Sequence, residues 1–291
     1  MASTRASMPA RYIVGVARKG HELDRISQHL LVASLHPGEI CVPEKSMSSL
    51  GRMLGVLDLF DDTHLTRTAD DISVALDVSL PTGYRYVRML LEAGLLQRVE
   101  DSHYALGPRI ILLDHYIRKA DPVLREGIPV MRELVAATGF DCVLSGLFGM
   151  QALDTHREMG GAPATLAYGR GRPRPLFQGA APKVLLANFT PAQLRKVFDA
   201  RHDEIIRSGL PADWSEFRRG FAAIRKAGHY VSIGELEPQL AAVAAPILKT
   251  DGGAWAAISL VFDTSRLAIV DLEKIVHLIT EGASRIGGRL A

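Results

Sequence analysis

Ser79–Gly107, SLPTGYRYVRMLLEAGLLQRVEDSHYALG, is the stretch whose reading decides the fold. Ser79 stands where a helix begins, and Pro81 falls in the first turn, where a missing N–H costs nothing. Val87, Leu90 and Leu91 give the segment an apolar face, and Gly94 is placed to stop it. Leu95–Val99 and His103–Leu106 then read as two strands around the turn Glu100-Asp101-Ser102. Thr82, Tyr84, Arg85 and Arg88 lie near the helix start, ahead of the residues that bury it. A helix with a polar, basic N-terminal end is suited to entering the major groove of DNA, and the ribbon after it has the form of a wing.

Upstream, Ser48 or Ser49 can cap a helix running to about Phe60, with Leu50, Met53, Leu54 and Leu57 on one side. Thr68 caps a second short helix, with Asp71 as a weak capping-box partner and Ile72, Ala75 and Leu76 as its apolar side. Asp77-Val78 makes a tight turn into the third. Two short helices so joined are a helix-turn-helix. Residues 1–47 stay open. Leu23, Ile26, Leu30 and Leu31 have helical spacing before Pro37-Gly38, so the segment is either one extra helix or sequence ahead of a start at Met47.

Downstream, Pro108 opens a linker helix over Ile110–Ile117, and Asp121-Pro122 restarts the chain in a helix that ends at Gly139. Strands are expected at 140–147, 151–157, 229–233, 240–247 and 254–262. Helices are expected at 180–188, 191–200 and 214–227. A closing amphipathic helix carries Leu267, Val270, Ile275, Leu278, Ile279 and Ile286. The fold class is α+β: a small helical head and a mixed sheet flanked by helices, a common cradle for a small molecule. The divisions are 1–47 as an extension, 48–107 as the head, 108–121 as the linker helix and 122–291 as the second domain.

The totals narrow the function. The 291 residues suffice for two domains, and 47% hydrophobic residues fits globular cores. No apolar run approaches the ~20 residues of a membrane span, and Tyr12–Val16 is too short for a signal-peptide core. Cys41 and Cys142 are the only cysteines, so neither a disulfide framework nor a zinc site is expected. These readings imply a cytoplasmic protein with no membrane partner. The net charge of +2 says little, and Ser48–Ala120 holds eight Lys or Arg against ten Asp or Glu. DNA contact must therefore come from placement rather than bulk basicity. HExxH, GxSxG and P-loop motifs are absent, so no enzyme, cofactor or metal is expected.

The order of motifs resembles the IclR family of bacterial transcription regulators over about Ser48 to Ala291. Thr82, Arg85, Leu90 and Glu92-Ala93-Gly94, with Tyr104, Leu106-Gly107 and Pro108, are similar to its recognition helix and wing exit. Pro175-Leu176 and Lys183 with Leu185-Leu186-Ala187 resemble its loop-to-helix motif. Gly228, Ser232, Glu235, Ala242-Val243-Ala244 and Ile247 match most of its signature. Departures are Pro182 in place of the usual Gly, Ala242 where Cys is common, Val261 in place of a second pocket serine, and the ending Leu248-Lys249. The resemblance implies a winged helix-turn-helix joined by the linker helix to a GAF-like α/β effector-binding domain. It implies a homodimer or tetramer on a palindromic double-stranded operator, and a small-molecule effector. Ala242 and Val261 remove polar or sulfur chemistry, which favours an aromatic or longer-chain organic acid.

Each candidate residue carries an ordinary reading beside the functional one. Arg85 and Arg88 are DNA contacts or solvated helix arginines; Ser79 and Thr82 bind phosphate from the helix start, or Ser79 is only a cap. Gly83 lets the backbone approach DNA or is merely tolerated. Tyr84 sits among them, and Ser102 and His103 at the wing tip touch the DNA backbone or are surface polars. Ala180, Ala181, Ser232, Glu235, Ala242, Ser259 and Val261 line or border the effector pocket by the resemblance, Glu235 more as a fixer of the pocket loop than as an anion ligand. The acid-free run 159–198, with Arg170, Arg172, Arg174, Lys183, Arg195 and Lys196, either steers an anionic effector or is a solvated loop. Two rivals stay open: a winged-helix regulator whose second domain only oligomerises, and a sensor enzyme with a DNA-binding head.

Overall fold

The computed structural model describes residues 14–16, 48–161 and 169–291. They form two compact units, residues 48–121 and residues 14–16 with 122–291. The helix expected around Leu23–Leu31, and Cys41 and Met47, lie outside the described residues. Strand β1 (Val14–Val16) falls in the second unit.

In the first unit, Ser48 Oγ accepts from Gly51 N and opens α1 (Ser49–Leu54), which tightens into a 3-10 turn through Leu59. A two-residue strand β2 (Arg67–Thr68) leads into α2 (Ala69–Ala75). Thr68 and Asp71 form the full reciprocal cap, each side chain accepting from the other's backbone N–H. Asp77, at φ 49°, takes the left-handed conformation that turns the chain into α3 (Leu80–Glu92). Ser79 does not cap the backbone as the sequence suggests; its hydroxyl pairs with Thr82 Oγ1 at 2.9 Å. Val56, Ile72, Tyr86, Val87, Leu90, Leu96 and Tyr104 close the core. Hairpin β3 (Leu96–Glu100) and β4 (His103–Leu106) follows, and β2 adds a third strand beside β4. Then comes α4 (Arg109–Ala120), which buries no residue and exposes Ile111, Leu113, Tyr116 and Ile117.

The second unit opens with α5 (Pro122–Thr138) and the antiparallel pair β5 (Asp141–Phe148) and β6 (Gln151–Glu158). A short edge strand β7 (Pro173–Arg174) precedes α6 (Ala180–Ala187), α7 (Pro191–Ala200), α8 (His202–Arg207) and α9 (Trp214–Ala227). Gly228, at φ 71°, ends α9 in the left-handed conformation. Strands β8 (Tyr230–Ile233), β9 (Leu240–Leu248) and β10 (Ala254–Asp263) lead to α10 (Leu272–Leu290). The closing helix begins later than the sequence suggests. Asp271 caps it, and Leu267 and Val270 pack on the core from the segment before it.

The sheet runs β1-β8-β9-β10-β5-β6-β7, with β1 parallel to β8 and every other pair antiparallel. Strand alternation splits its residues between two cores. Val231, Val243, Leu260 and Cys142 join Met131 of α5 and Ile279 and Ile286 of α10 on one face. Tyr230, Ala244 and Ala257 join Leu186 of α6 and Phe217 and Phe221 of α9 on the other. Cys142 is a buried core residue, and that burial pushes its thiol well above the ordinary pKa.

Candidate functional site

Helix α3 has two unlike faces. Gly83, Tyr86, Val87 and Leu90 are buried, and Tyr86 is tied by its hydroxyl to Ser49 Oγ at 3.0 Å. Tyr84, Arg85, Arg88 and Met89 are exposed on the other side, with Pro81 and Glu92 completing that surface. Thr82 is half-buried at the helix start. Arg88 Nε donates to Glu92 Oε1 at 2.9 Å, and Arg85 lies 5.7 Å from the Tyr86 ring. At the hairpin tip Ser102 and His103 are exposed, with Ser102 at φ 64° and His103 Nδ1 3.0 Å from the Asp101 carbonyl.

Gly83 does not belong with the surface residues. A Cβ there would stand 1.9 Å from Ser73 Oγ and 3.3 Å from the Ala69 carbonyl. The glycine allows the close crossing of α2 and α3, and the space a side chain would need is taken by Ser73 and Ala69. The helical spacing of Ala69 and Ser73 on α2 was the available signal.

In the second unit, a cavity lies between the sheet and the N-terminus of α6. Ala180, Ala181, Ser232, Ala242, Ser259 and Val261 all line it, with Val143, Gly179, Leu240 and Arg174. Register explains the convergence: Ser232 pairs Ala242, Ala242 pairs Val261, and Ser259 pairs Ala244 and Val143. These positions share one face of four adjacent strands, β8, β9, β10 and β5. The space between atoms is about 480 Å³ including the mouth, but little of it is enclosed and wide enough for a solvent molecule. That is room for one or two waters. Ser259 Oγ donates to the Val143 carbonyl at 3.3 Å. The first-turn N–H groups of Ala180 and Ala181 have no intrahelical partner. Pro182 contributes none, and it is tolerated because it sits in the first turn.

Glu235 stands behind the cavity and does not line it. Its carboxylate accepts from Gly179 N at 2.9 Å, Lys183 Nζ at 2.7 Å and the Tyr230 hydroxyl at 2.8 Å. Burial pushes Lys183 below the ordinary lysine pKa, opposed by the Glu235 charge, and raises the Tyr230 hydroxyl. This network pins the loop after β8 to the start of α6. Arg174, which the sequence reading placed only in a basic run, proves to be a cavity residue. Its Nη1 bonds both oxygens of buried Asp154 at 2.9 and 3.2 Å. Lys183 and Arg174 are therefore buried in ion pairs, and Arg195 pairs Asp199. Three of the run's six named cations are thus held in ion pairs. Among the described residues no cluster of His, Cys, Asp or Glu is arranged to hold a metal ion, and no helix is long and apolar enough to cross a membrane.

Comparison with known proteins identifies the class. Residues 115–287 match the family described as bacterial transcriptional regulator IclR C-terminal. The chain belongs to the IclR family of DNA-binding transcriptional regulators. It is 26% identical over 228 residues to the HTH-type transcriptional regulator XynR of Escherichia coli (strain K12), covering 78% of this chain and 90% of the relative. It is 26% identical to the HTH-type transcriptional regulator KipR of Bacillus subtilis (strain 168), covering 71% of this chain and 83% of KipR. Among solved structures, an IclR transcriptional regulator from Alicyclobacillus acidocaldarius superposes with a TM-score of 0.68 at 24% identity, over 82% of this chain and 97% of that one. An IclR homolog complexed with 4-hydroxybenzoate from Microbacterium hydrocarbonoxydans gives 0.67 at 22% identity, over 84% and 100%.

Proposed function

We propose that this protein is a cytoplasmic, effector-responsive regulator. Residues 48–107 are its winged helix-turn-helix, 108–121 its linker helix and 122–291 its GAF-like effector-binding domain. In this reading α3 enters the major groove with Arg85 toward a base edge or phosphate, and Thr82, Ser79, Tyr84 and Arg88 on or near the backbone. Ser102 and His103 at the wing tip reach the adjacent backbone. The observation that carries the reading is the division of α3: its apolar side is fully used inside the unit, and its basic side is left to solvent. One helix reads only a few base pairs, so a homodimer or tetramer on a palindromic operator is required. The exposed apolar residues of α4 supply surface for that association.

The effector is an organic acid, and an aromatic or longer-chain one suits Ala242 and Val261 better than a two-carbon oxo-acid. The 4-hydroxybenzoate bound by the Microbacterium homolog supports that class. The cavity must widen to admit a ring, and an effector acts by favouring the wider state. Mobility-shift assays on the chain's own upstream intergenic DNA, with and without candidate acids, test the proposal. Arg85→Ala is expected to weaken binding by about 1–3 kcal/mol. Unchanged binding by that variant refutes the α3 assignment, and the absence of any acid-dependent shift refutes the effector assignment.

A further inference from the structure

We infer that Arg174 is the carboxylate-recognising residue of the cavity, and that Asp154 and Ser145 hold it for that task. The inference rests on the reading of this cavity as the effector site and assigns its selectivity to one side chain. Asp154 is buried at the end of a short chain of bonds. Ser145 Oγ donates to its Oδ1 at 2.7 Å, and Arg174 Nη1 donates to both its oxygens. The guanidinium is thereby fixed through one nitrogen only. Nε is buried and has no hydrogen-bond partner, and Nη2 makes no hydrogen bond among the described residues. Nη2 also lies about 4.0 Å from where a Gly179 side chain would begin, beside the open end of α6.

Nε and Nη2 form the planar edge of a guanidinium whose two parallel N–H bonds match a carboxylate. A buried donor without a partner in a native fold calls for a ligand or a water. Nε has no exposed surface, so a carboxylate reaches this edge only once the cavity widens; it and Asp154 would then occupy opposite edges of one cation, with Ser145 relieving charge on the resident acid. Ala180 and Ala181, in the first turn of α6, line the same cavity, as does Glu237, whose charge a bound acid must tolerate. An amide of the same shape can accept through its carbonyl oxygen but brings no charge to pair with the guanidinium.

Isothermal titration of the full-length protein with matched acids and amides tests the assignment: acetate and acetamide, benzoate and benzamide, 4-hydroxybenzoate and 4-hydroxybenzamide. The wild type should prefer at least one acid over its amide by about 10- to 100-fold, the range of a charged hydrogen-bond pair. Arg174→Gln should bring that ratio to within about threefold while leaving amide affinity in place. Arg174→Lys should recover only part of it, because a point charge lacks the fork. Should Arg174→Gln unfold, Asp154→Asn still decides the matter: a guanidinium no longer held should lose most of the acid-over-amide preference while amide binding stays unchanged. An acid preference that survives Arg174→Gln, or an Asp154→Asn protein with unaltered acid affinity, overturns the inference and leaves the effector site standing. Equal binding of acids and amides by the wild type overturns it too. No binding by any acid or amide overturns both.

Discussion

Replacing Gly83 by Ala separates a packing role from a DNA role, because the two give opposite results. Ala would normally stabilise a helix interior by about 1 kcal/mol over Gly. Here its methyl would stand 1.9 Å from Ser73 Oγ, so the hydroxyl must leave. That hydroxyl is buried and donates to the Ala69 carbonyl at 2.7 Å, a bond worth about 1 kcal/mol. Ser73 Cβ at 3.1 Å and the Ala69 carbonyl at 3.3 Å then remain too close, so α2 itself must shift. Overpacking of this kind costs about 1–3 kcal/mol. The balance is a loss of about 2 kcal/mol, which should speed amide exchange in 69–92 roughly 30-fold while exchange in 122–291 stays unchanged. Hydrogen–deuterium exchange read by mass spectrometry resolves the two units separately. Adding Ser73→Ala should recover part of the loss, since the nearest clash is with the atom removed. Undiminished protection in Gly83→Ala together with weakened DNA binding would refute the packing argument and restore the idea of a close approach to DNA.

Glu92→Gln removes the partner of Arg88, an exposed pair that adds little to stability. It should tighten operator binding and steepen its salt dependence by up to about one ion, as fluorescence anisotropy at several salt concentrations would show; weaker binding would remove Arg88 from the interface. Glu235→Gln leaves the Lys183 ammonium buried without its counter-charge, which should cost about 3–5 kcal/mol. The melting temperature of the second unit should drop, and an unchanged one would show that the pair adds nothing. Acid should loosen α2 selectively. The Asp71 carboxyl is held below its ordinary pKa by the Thr68 backbone N–H and hydroxyl, so its contribution is present above about pH 4 and lost as pH falls through the lower folded value. Exchange in 69–75 should quicken on acidification, and Asp71→Asn should flatten that dependence.

Much of the architecture was legible because it is written in local chemistry. Thr68 with Asp71 and Thr190 with Gln193 form the reciprocal caps expected of them. Gly139 and Gly228 take positive φ where helices were expected to stop. The elements that escaped are those with no period to read. β2 and β7 are two residues each, and α8 spans six. β1 is three residues whose place depends on pairing with a strand more than two hundred positions away. In the cavity, the resemblance collected Ala180, Ala181, Ser232, Ala242, Ser259 and Val261, because motif order carries over between relatives. Glu235 was placed by the motif but turned by its partners, since Lys183 and Tyr230 claim its carboxylate from behind. Arg174 was hidden for the converse reason. A single arginine in a basic run looks solvated until strand pairing places β7 beside β6, with Ala152 opposite Arg174 and buried Asp154 two residues along.

The charge pattern bears on how such a regulator would switch. Ser48–Ala120 carries more acids than bases, Arg88 is paired with Glu92, and Arg98 lies over the Tyr104 ring at 5.8 Å. Sequence-independent attraction to phosphates is therefore modest, and affinity on the proposed reading rests on a few contacts from each α3. An effector changes DNA affinity only by its differential affinity for the two states, typically about 1–3 kcal/mol. A good base contact has the same worth. Disturbing a single contact in a dimer would then match the whole coupling energy, so a small change in the spacing of two reading heads is sufficient. A strongly basic head would keep most of its phosphate contacts through such a change and blunt the response. The near-neutral head is thus consistent with a switch that needs little motion.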